Sequence, residues 1–354
     1  MLQAAVNALL SAPGRIPDGQ SAMARTPERT AVPPWRVVIT DFTESGHEVE
    51  AAVFAASGLD IDLVRATETS RPGGLGSEIA DADALLVQFA QITPELIESL
   101  TRCRVISRYG IGVDMIDVEA ASKAGIPVAN VPDFCIDEVS TQTIGFLIDL
   151  NRRTIPLNVH VHAGLWGSPP PVSPPRRLAG QVLGIVGLGA IGRAVAVKAR
   201  ALGLRVVAYD PYAADVAGAE LVGLEELLAT ADYVSLHCPL TEQTRDLIGA
   251  GQLAAMKPTA YLLNLSRGPV VDQGALLTAL KAGEIAGAAL DVRAVEPPAA
   301  DDPLLGRPDV IVTPHSASWS AESASQLRRD AAQNVVDVLS GRMPRSVVNA
   351  GLLS

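Results

Sequence analysis

The sequence predicts an α/β protein with two domains, each built around a parallel sheet. From Trp35 onward, short β-branched runs alternate with Ala/Leu-rich helical stretches, which is typical of βαβ units. These runs form two series, separated by a helix and a Pro-rich stretch. The chain has 354 residues, enough for two domains of roughly 150 residues each.

The first series contains five predicted strands: Arg36–Thr40, Ile61–Arg65, Ala84–Gln88, Arg104–Ser107 and Pro127–Asn130. The second contains six: Val182–Gly187, Arg205–Tyr209, Tyr233–His237, Ala260–Asn264, Gly287–Asp291 and Val310–Thr313. Between them, the apolar spacing predicts a helix over Ile136–Asn151 and then a loop over Ser168–Pro175. A last helix is expected over Ala321–Leu339, in a segment that can return to the first domain. Residues 1–34 are predicted to be a flexible leader with one short helix at Gln3–Leu10.

Composition excludes several classes of protein. With 48% hydrophobic and 19% charged residues, the chain is expected to fold around a substantial core. The net charge of −11 and the absence of a dense Lys/Arg run argue against direct binding to nucleic acid or anionic membranes. The three cysteines have no paired spacing, so neither a metal site nor a disulfide framework is expected. No apolar stretch reaches the roughly 20 residues of a membrane span, and Met1–Ala12 lacks the basic start of a signal peptide. We therefore expect a cytoplasmic protein.

A glycine-rich turn predicts a dinucleotide site. The apolar run that begins at Val182 leads directly into Gly187-Leu-Gly189-Ala190-Ile191-Gly192, and a helix over Ile191–Leu202 follows. Gly187 would permit the tight turn, Gly189 would let the pyrophosphate approach the backbone, and Gly192 would allow close helix–strand packing. The N–H groups at the start of the helix, near Ala190, would face the phosphates.

Asp210 is the predicted ribose-binding carboxylate. It ends the next strand and lies 18 positions after Gly192, close to the spacing of about 20 typical of this site. Its charge would repel a 2′-phosphate, so NAD is favoured over NADP as the cofactor. The alternative is that Asp210 only opens the turn through Tyr212.

Ionisable residues follow the last three predicted strands, where ligands of open α/β sheets gather. These are Arg267, Glu296 and His315. Reduction of a carbonyl by hydride needs a proton donor, and an imidazolium suits that task near neutral pH. A neighbouring carboxylate would hold the ring, and a guanidinium would bind a substrate carboxylate through paired hydrogen bonds. Each residue also has an ordinary structural interpretation: an interdomain ion pair, a surface charge or a loop histidine. Among the other histidines, His237 also lies at a strand end and is expected to pack beside the cofactor.

These motifs resemble those of the D-isomer-specific 2-hydroxyacid dehydrogenases, and the resemblance covers nearly everything from Trp35 to Asn349. The matching segments are Gly187–Gly192, Asp210–Tyr212, His237–Thr241, Asn264–Gly268, Ala289–Val292, Glu296–Pro297 and Thr313–His315. The similarity is greatest to the C-terminal-binding-protein-like branch, through Ser107–Asp114, Asn130–Asp133 and Pro344–Asn349.

The resemblance implies specific roles and boundaries. Arg267, Glu296 and His315 would be the catalytic set. The substrate would contact Arg108, Gly110, Ile111 and Trp319. Besides the glycine turn and Asp210, the cofactor would contact Cys238, Pro239, Thr244, Leu265, Ser266 and Asp291. The fold would comprise two Rossmann-like domains: a flavodoxin-like substrate domain (35–133 plus 318–354) and an NAD-binding domain with a doubly wound parallel sheet (134–317). A homodimer would form through the nucleotide-binding domains.

Two positions depart from related sequences, which tend to carry an aromatic residue three positions after the histidine and another after Asp-Val. Here these positions are Ser318 and Arg293, so the substrate cannot be inferred from the resemblance. The favoured function is interconversion of a small 2-oxoacid and its D-2-hydroxyacid. The alternative from another class is an NADH-responsive corepressor-like scaffold. Oxidation of phosphite or formate is a further alternative, although formate oxidation needs no acid–base histidine.

Overall fold

The first sheet lies in the N-terminal half of the chain. The computed structural model describes residues 33–42, 46–67, 74–166, 174–213 and 218–352. Five parallel strands pair in the order β2-β1-β3-β4-β5, the flavodoxin-like order. They are β1 (Trp35–Ile39), β2 (Ile61–Arg65), β3 (Ala84–Val87), β4 (Val105–Arg108) and β5 (Val128–Ala129). The intervening helices are α1 (Glu48–Ser57), α2 (Gly74–Ile79), α3 (Pro94–Ser99) and α4 (Val118–Lys123).

The second sheet has seven parallel strands in the order β12-β11-β10-β9-β6-β7-β8. They are β6 (Val182–Val186), β7 (Arg205–Tyr209), β8 (Glu220–Leu221), β9 (Tyr233–Leu236), β10 (Tyr261–Asn264), β11 (Gly287–Leu290) and β12 (Val310–Val312). The order reverses between β6 and β9, as in doubly wound dinucleotide-binding sheets. Its helices are α5 (Ile136–Arg152), α6 (Thr154–His162), α7 (Ala190–Ala201), α8 (Leu224–Thr230), α9 (Ala250–Ala255) and α10 (Gln273–Ala282). The predicted fold class, two Rossmann-like α/β sheets, is confirmed.

All eleven predicted strands are present, with ends that differ by at most one residue. The exposed strand β8 was missed because two residues at the sheet edge carry no detectable periodicity. The predicted helix Gln3–Leu10 lies outside the described residues, as do most of the leader and of the Ser168–Pro175 loop. Trp35–Ser354 forms one compact unit. The predicted domain boundary at residues 133/134 therefore stays a prediction.

The C-terminal helix α11 (Ala321–Leu339) packs on the first sheet, against α1, β3 and β4. Arg328 on α11 forms a buried ion pair with Glu50 on α1, with 2.6 Å between Nη2 and Oε2. The hydroxyl of Tyr109 donates a hydrogen bond to the same carboxylate. Removing one partner of such a pair typically costs about 3–5 kcal/mol, because the other charge is left buried. This interaction ties α11 to the first sheet.

The segment after α11 closes the edge of the first sheet. Val347 pairs antiparallel with Ala129, and the buried Asn349 side chain accepts a hydrogen bond from Val128 N at 2.8 Å. The same amide donates to the backbone oxygen of Ile126. These bonds satisfy backbone groups that an edge strand would otherwise leave unpaired.

One apolar cluster extends across both sheets. It includes Val37 and Ile39 of β1, Val335 of α11, Leu147 of α5 and Ile185 of β6. Alternate residues of β1 and β3 point to the opposite face, where they pack with α2 and α3. Within the described ranges, no helix is long and apolar enough to cross a membrane. The shared core places the C-terminal ends of both sheets around one cleft.

Candidate active site

The glycine turn lies where the strand order of the second sheet reverses. Gly187 has φ +93°, and a Cβ there would lie 2.6 Å from the backbone nitrogen of Cys238. A Cβ at Gly192 would overlap the carbonyl oxygen of Gly187. At Gly189, in contrast, a Cβ would meet no atom of the described residues within 4 Å. Helix α7 begins at Ala190, followed by Ile191, and its N-cap Gly189 offers no side chain to the first N–H groups. Open space beside uncapped N–H groups fits a pyrophosphate.

Asp210 lies directly after β7 and contacts this turn. Its Oδ2 accepts a hydrogen bond from Leu188 N at 2.7 Å, and its Oδ1 accepts one from Tyr212 N at 2.9 Å. The residue therefore opens the turn through Tyr212 and also braces the glycine loop. A carboxylate has about four lone-pair sites, so further acceptor positions remain for ribose hydroxyls. The structural and cofactor-binding interpretations of Asp210 are compatible.

Asp291 anchors the loop that carries His315. Its buried carboxylate accepts hydrogen bonds from the Thr313 hydroxyl at 2.5 Å and from the N–H groups of Ser316 and Ala317, both at 3.0 Å. The His315 N–H donates to the Asp291 carbonyl oxygen at 2.8 Å. His315 adopts φ +51°, a strained conformation for a residue other than glycine. Asp291 thus holds this conformation, a contribution that its predicted cofactor contact did not include.

His315 and Glu296 form a hydrogen-bonded pair. Nδ1 of His315 lies 2.7 Å from Oε2 of Glu296, and the backbone N–H of Arg293 donates to Oε1 at 2.7 Å. Burial raises the pKa of the Glu296 carboxyl. The hydrogen bonds from His315 and Arg293 and the charges of His315 and Arg267 outweigh it and bring the pKa below its ordinary value. Glu296 is therefore ionised near neutral pH, and the pairing leaves Nε2 of His315 for another partner.

Two guanidinium groups lie near this pair. Arg267 donates from Nε to Oδ1 of Asp114 at 2.9 Å and from Nη1 to the backbone oxygen of Ser266. Arg108 is buried, and its Nη1 donates to the backbone oxygen of Tyr109. Burial and the nearby charge of Arg267 lower the pKa of Arg108 to about 10. Arg108 therefore remains cationic near pH 7, and two neighbouring guanidinium groups favour a bound anion.

Glycines make room for these guanidinium groups. A Cβ at Gly110 would overlap Nη1 of Arg108, and one at Gly112 would overlap Nη2 of Arg267. Arg267 also affects the pKa of the Asp114 carboxyl. Burial raises the pKa of this carboxyl, but the Arg267 charge and hydrogen bond bring the net pKa below the usual value. The predicted substrate loop therefore packs against the predicted catalytic arginine.

A cavity of about 1030 Å³ opens beside His315 and Glu296. Phe42 and Phe89 line it from the first sheet, and Trp319, 75% exposed, lines it from the loop after β12. The Phe89 ring contacts the His315 imidazole edge-on, with 6.3 Å between centroids. The lining does not include Arg267, Arg108 or the glycine turn. The cavity therefore extends away from the guanidinium groups, on the His315 side of the site.

The other predicted cofactor contacts lie on loops that follow strands of the second sheet. Cys238 packs its backbone on Gly187, and the Thr244 hydroxyl donates to the backbone oxygen of Pro239 at 2.6 Å. Ser266 bonds to the buried Asn264 side chain, beside the buried Leu265. The predicted substrate contact Ile111 lies in the loop after β4, where its carbonyl oxygen accepts a hydrogen bond from the Asn130 side chain at 2.7 Å. The roles of these residues stay predictions.

His237 lies in a less hydrated setting than His315. Burial lowers its pKa to about 4, and its Nε2 lies 2.9 Å from the Ser235 hydroxyl. A neutral imidazole at pH 7 suits packing better than proton donation. In the part of the chain that the structure describes, no group of three or more His, Cys, Asp or Glu side chains is arranged to hold a metal ion.

Three residues around the site were missed by the sequence analysis. Asp41 follows β1, and its carboxylate accepts hydrogen bonds from the N–H groups of Gln88, Phe89 and Ala90 at 2.6–3.1 Å. It thereby holds Phe89 against His315, while Asp114 holds Arg267. For Asp41 and Phe89, the sequence offered only their position as an indication of a role in the site. Each lies just beyond a predicted strand, at the point where the first sheet reverses its strand order.

The doubly wound sheet, the glycine turn and the His–Glu pair define a nicotinamide dinucleotide-dependent oxidoreductase. A family model described as "D-isomer specific 2-hydroxyacid dehydrogenase, NAD binding domain" matches residues 144–317. The chain is 41% identical over 278 residues to a glyoxylate reductase of Korarchaeum cryptofilum, covering 77% of this chain and 84% of that protein. It is 40% identical over 283 residues to a D-3-phosphoglycerate dehydrogenase of Methanocaldococcus jannaschii, covering 77% of this chain and 52% of that protein.

A solved structure shows the same similarity. The crystal structure of D-lactate dehydrogenase from Aquifex aeolicus complexed with NAD and lactic acid matches with a TM-score of 0.79 at 26% identity, over 88% of this chain and 98% of that one. The chain belongs to the D-isomer-specific 2-hydroxyacid dehydrogenase family and is an enzyme of that family, a D-2-hydroxyacid dehydrogenase. Its predicted place in the C-terminal-binding-protein-like branch stays a prediction.

Proposed function

We propose that this enzyme interconverts a small 2-oxoacid and its D-2-hydroxyacid, with His315 as the general acid in reduction and the general base in oxidation. The observation that carries the proposal is the 2.7 Å contact between His315 and Glu296 at the wall of the cavity. Reduction of a carbonyl requires a proton on its oxygen, and a positioned acid typically contributes about 10²–10⁴-fold to such a step.

The ionised Glu296 determines which nitrogen of the imidazole faces the substrate. It accepts the Nδ1 proton, so Nε2 is the nitrogen that faces the substrate oxygen. The carboxylate also stabilises the charged ring before proton transfer and orients the neutral ring afterwards. In the reverse direction, Nε2 takes the hydroxyl proton of the D-2-hydroxyacid. When bound beside this site, the nicotinamide would supply the hydride for reduction and accept it in oxidation.

Arg267 and Arg108 bind the substrate carboxylate. Arg267 keeps Nη2 beside Gly112, while its Nε is committed to Asp114. Arg108 adds a second positive charge, and this one is buried. The two cations lie on opposite sheets, so an anion bound between them would favour closure of the cleft and exclusion of water.

We propose NAD rather than NADP as the cofactor. Asp210 places a carboxylate at the end of β7, next to the glycine turn. A 2′-phosphate at that position would be repelled by the carboxylate, whereas ribose hydroxyls can donate to it. The open space at Gly189 and the uncapped start of α7 support phosphate binding in either case.

We further propose a cytoplasmic homodimer that forms through α6. This helix has no buried residue, although Ile155, Val159 and Val161 are apolar. Leu165 and Trp166 continue the apolar surface, and Trp166 is 87% exposed. Exposed apolar side chains concentrated in one short segment are typical of an interaction surface. The three unpaired cysteines agree with a reducing compartment.

The test of the proposed reaction is NADH consumption with a panel of 2-oxoacids, for wild type and His315→Gln. The substitution should lower kcat about 10²–10⁴-fold while the Kd of NADH changes little, because the nucleotide site lies on the glycine turn and Asp210. His47→Gln is the matched control, since His47 makes no side-chain cap on α1. Arg267→Lys should raise KM and lower kcat together, because a lysine loses the paired hydrogen bonds.

Two results would contradict the proposal in different ways. A wild-type rate for His315→Gln would make the histidine structural. A wild-type protein that binds NADH but reduces no 2-oxoacid would favour the scaffold alternative.

A further inference from the structure

The cavity beside His315 is larger than a two-carbon 2-oxoacid needs. Its volume of about 1030 Å³ is at the upper end of the range of about 300–1,000 Å³ typical of small-molecule sites. Four of its lining side chains are aromatic, Phe42, Phe89, Phe134 and Trp319, and the others are aliphatic, polar or charged. The aromatic side chains can recognise an apolar group through burial and ring contacts, with little contribution from hydrogen bonds.

The cavity begins at the group proposed to contact the substrate oxygen. Phe89 packs edge-on against the His315 ring, and Asp41 holds the loop that carries Phe89. Phe42 follows β1 and Phe89 follows β3, the two strands between which the first sheet reverses its order. With the substrate carboxylate bound by the guanidinium groups and its oxygen at His315, the remaining substituent would extend into this aromatic space.

Charges in the cavity wall disfavour a second anionic group. Among the lining residues, Arg293 and His315 are the basic side chains, while Asp291 and Glu296 are acidic. His315 is paired with Glu296, and Nη2 of Arg293 forms an ion pair with Asp302 at 2.5 Å. The Nε and Nη1 atoms of Arg293 have no hydrogen-bond partner among the described residues, but the side chain is only 4% exposed. A distal phosphate or carboxylate would thus find little accessible positive charge there.

We infer that the preferred substrate is a 2-oxoacid with a bulky, uncharged side chain, either aromatic or branched aliphatic. The inference rests on the proposed function, because it assumes that the carbonyl is reduced at His315. It differs from the substrates in the names of the two relatives described above, since glyoxylate has no side chain and phosphoglycerate carries a distal phosphate. The small Ser318 side chain contributes to the open volume.

The test compares kcat/KM at saturating NADH for phenylpyruvate, α-ketoisocaproate, pyruvate, glyoxylate and oxaloacetate. Each methylene bound in a hydrophobic pocket is worth about 10–200-fold in kcat/KM. Phenylpyruvate and α-ketoisocaproate should therefore exceed glyoxylate by at least about 100-fold, and oxaloacetate should be used poorly.

Two variants test whether the cavity is the source of this preference. Ser318→Phe should fill the cavity and reduce the phenylpyruvate-to-glyoxylate ratio at least about 10-fold. The Ser318 backbone oxygen would still accept its hydrogen bond from Ser323. Phe89→Ala removes part of the wall and should also lower the ratio, so the test does not depend on one variant folding. Met343→Ala is the control, because Met343 is a large exposed apolar residue outside the lining.

The possible outcomes separate the two proposals. Preference for glyoxylate or pyruvate would overturn the inference about the side chain and leave the proposed function in place. Preference for oxaloacetate would overturn it in favour of a distal anion bound by Arg293. If both cavity variants keep the wild-type ratio, the substituent does not enter this cavity. If NADH binds and none of the five acids is reduced, the proposed function itself fails.

Discussion

Replacing Glu296 with glutamine should shift the pH dependence of reduction toward acid. The substitution keeps the size of the side chain and an acceptor oxygen for Nδ1 of His315, but it removes the negative charge. The lowered pKa of Glu296 shows that its ionised form is stabilised by His315. The interaction is reciprocal, so the carboxylate stabilises the protonated imidazole that reduction requires.

The strength of the interaction between Glu296 and His315 follows from the geometry. At a charge separation of about 4 Å, two unit charges interact by about 4 kcal/mol at an effective dielectric constant of about 20. Both side chains are 33% exposed, so solvent screening reduces this value. A hydrogen bond to a charged group is worth about 1.5–3 kcal/mol, against about 0.5–1.5 kcal/mol for one between neutral groups, so loss of the charge should weaken this contact by about 1 kcal/mol. We therefore expect the alkaline limb of the reduction profile to move toward acid.

The assay is kcat/KM for reduction and for oxidation from pH 5 to pH 9, with wild type and Glu296→Gln. Reduction needs the protonated ring, so the variant should lose this activity at a lower pH than wild type. Oxidation needs the neutral ring, so its activity should appear at lower pH. An unchanged profile with a lower rate throughout would refute a role for the carboxylate charge and leave only an orienting role. Glu225→Gln is the control, because it removes an exposed charge on α8, outside the cavity lining.

Three further predictions follow from particular contacts. Asp210→Ser should lower the ratio of kcat/KM for NADH over NADPH at least about 10-fold, since the repulsion of the 2′-phosphate is lost; equal use of both cofactors by wild type would disprove the assignment. Asp291→Asn should destabilise the His315 loop by about 1–3 kcal/mol, because its NH2 group would face the N–H donor of either Ser316 or Ala317, and both Tm and kcat should fall. Val159→Asp should weaken the dimer in sedimentation velocity without unfolding the chain, and an unchanged sedimentation coefficient would exclude α6 as the interface.

Local patterns in the chain predicted the strands. They also predicted that the site residues follow the C-terminal ends of those strands. Buried parallel strands such as Val182–Val186 are nearly continuous apolar runs, so their presence can be recognised from neighbouring residues alone. The glycine turn is likewise local, because the strand, the turn and the helix are contiguous. Asp210 followed from a short spacing within the same βαβ unit. Strand β8 has two exposed residues and no such pattern, so it was not predicted.

The tertiary structure decided which side chains meet across the cleft. Arg267 and Asp114 are 153 positions apart, and Asn349 and Val128 are 221 apart. No local periodicity encodes such contacts, because they depend on how two sheets share one core. The same holds for Phe89 against His315 and for the size of the cavity between them. Sequence patterns indicated a site that reduces a 2-oxoacid. The side chain of that 2-oxoacid could be inferred only from the cavity, whose size and walls depend on how the two sheets pack.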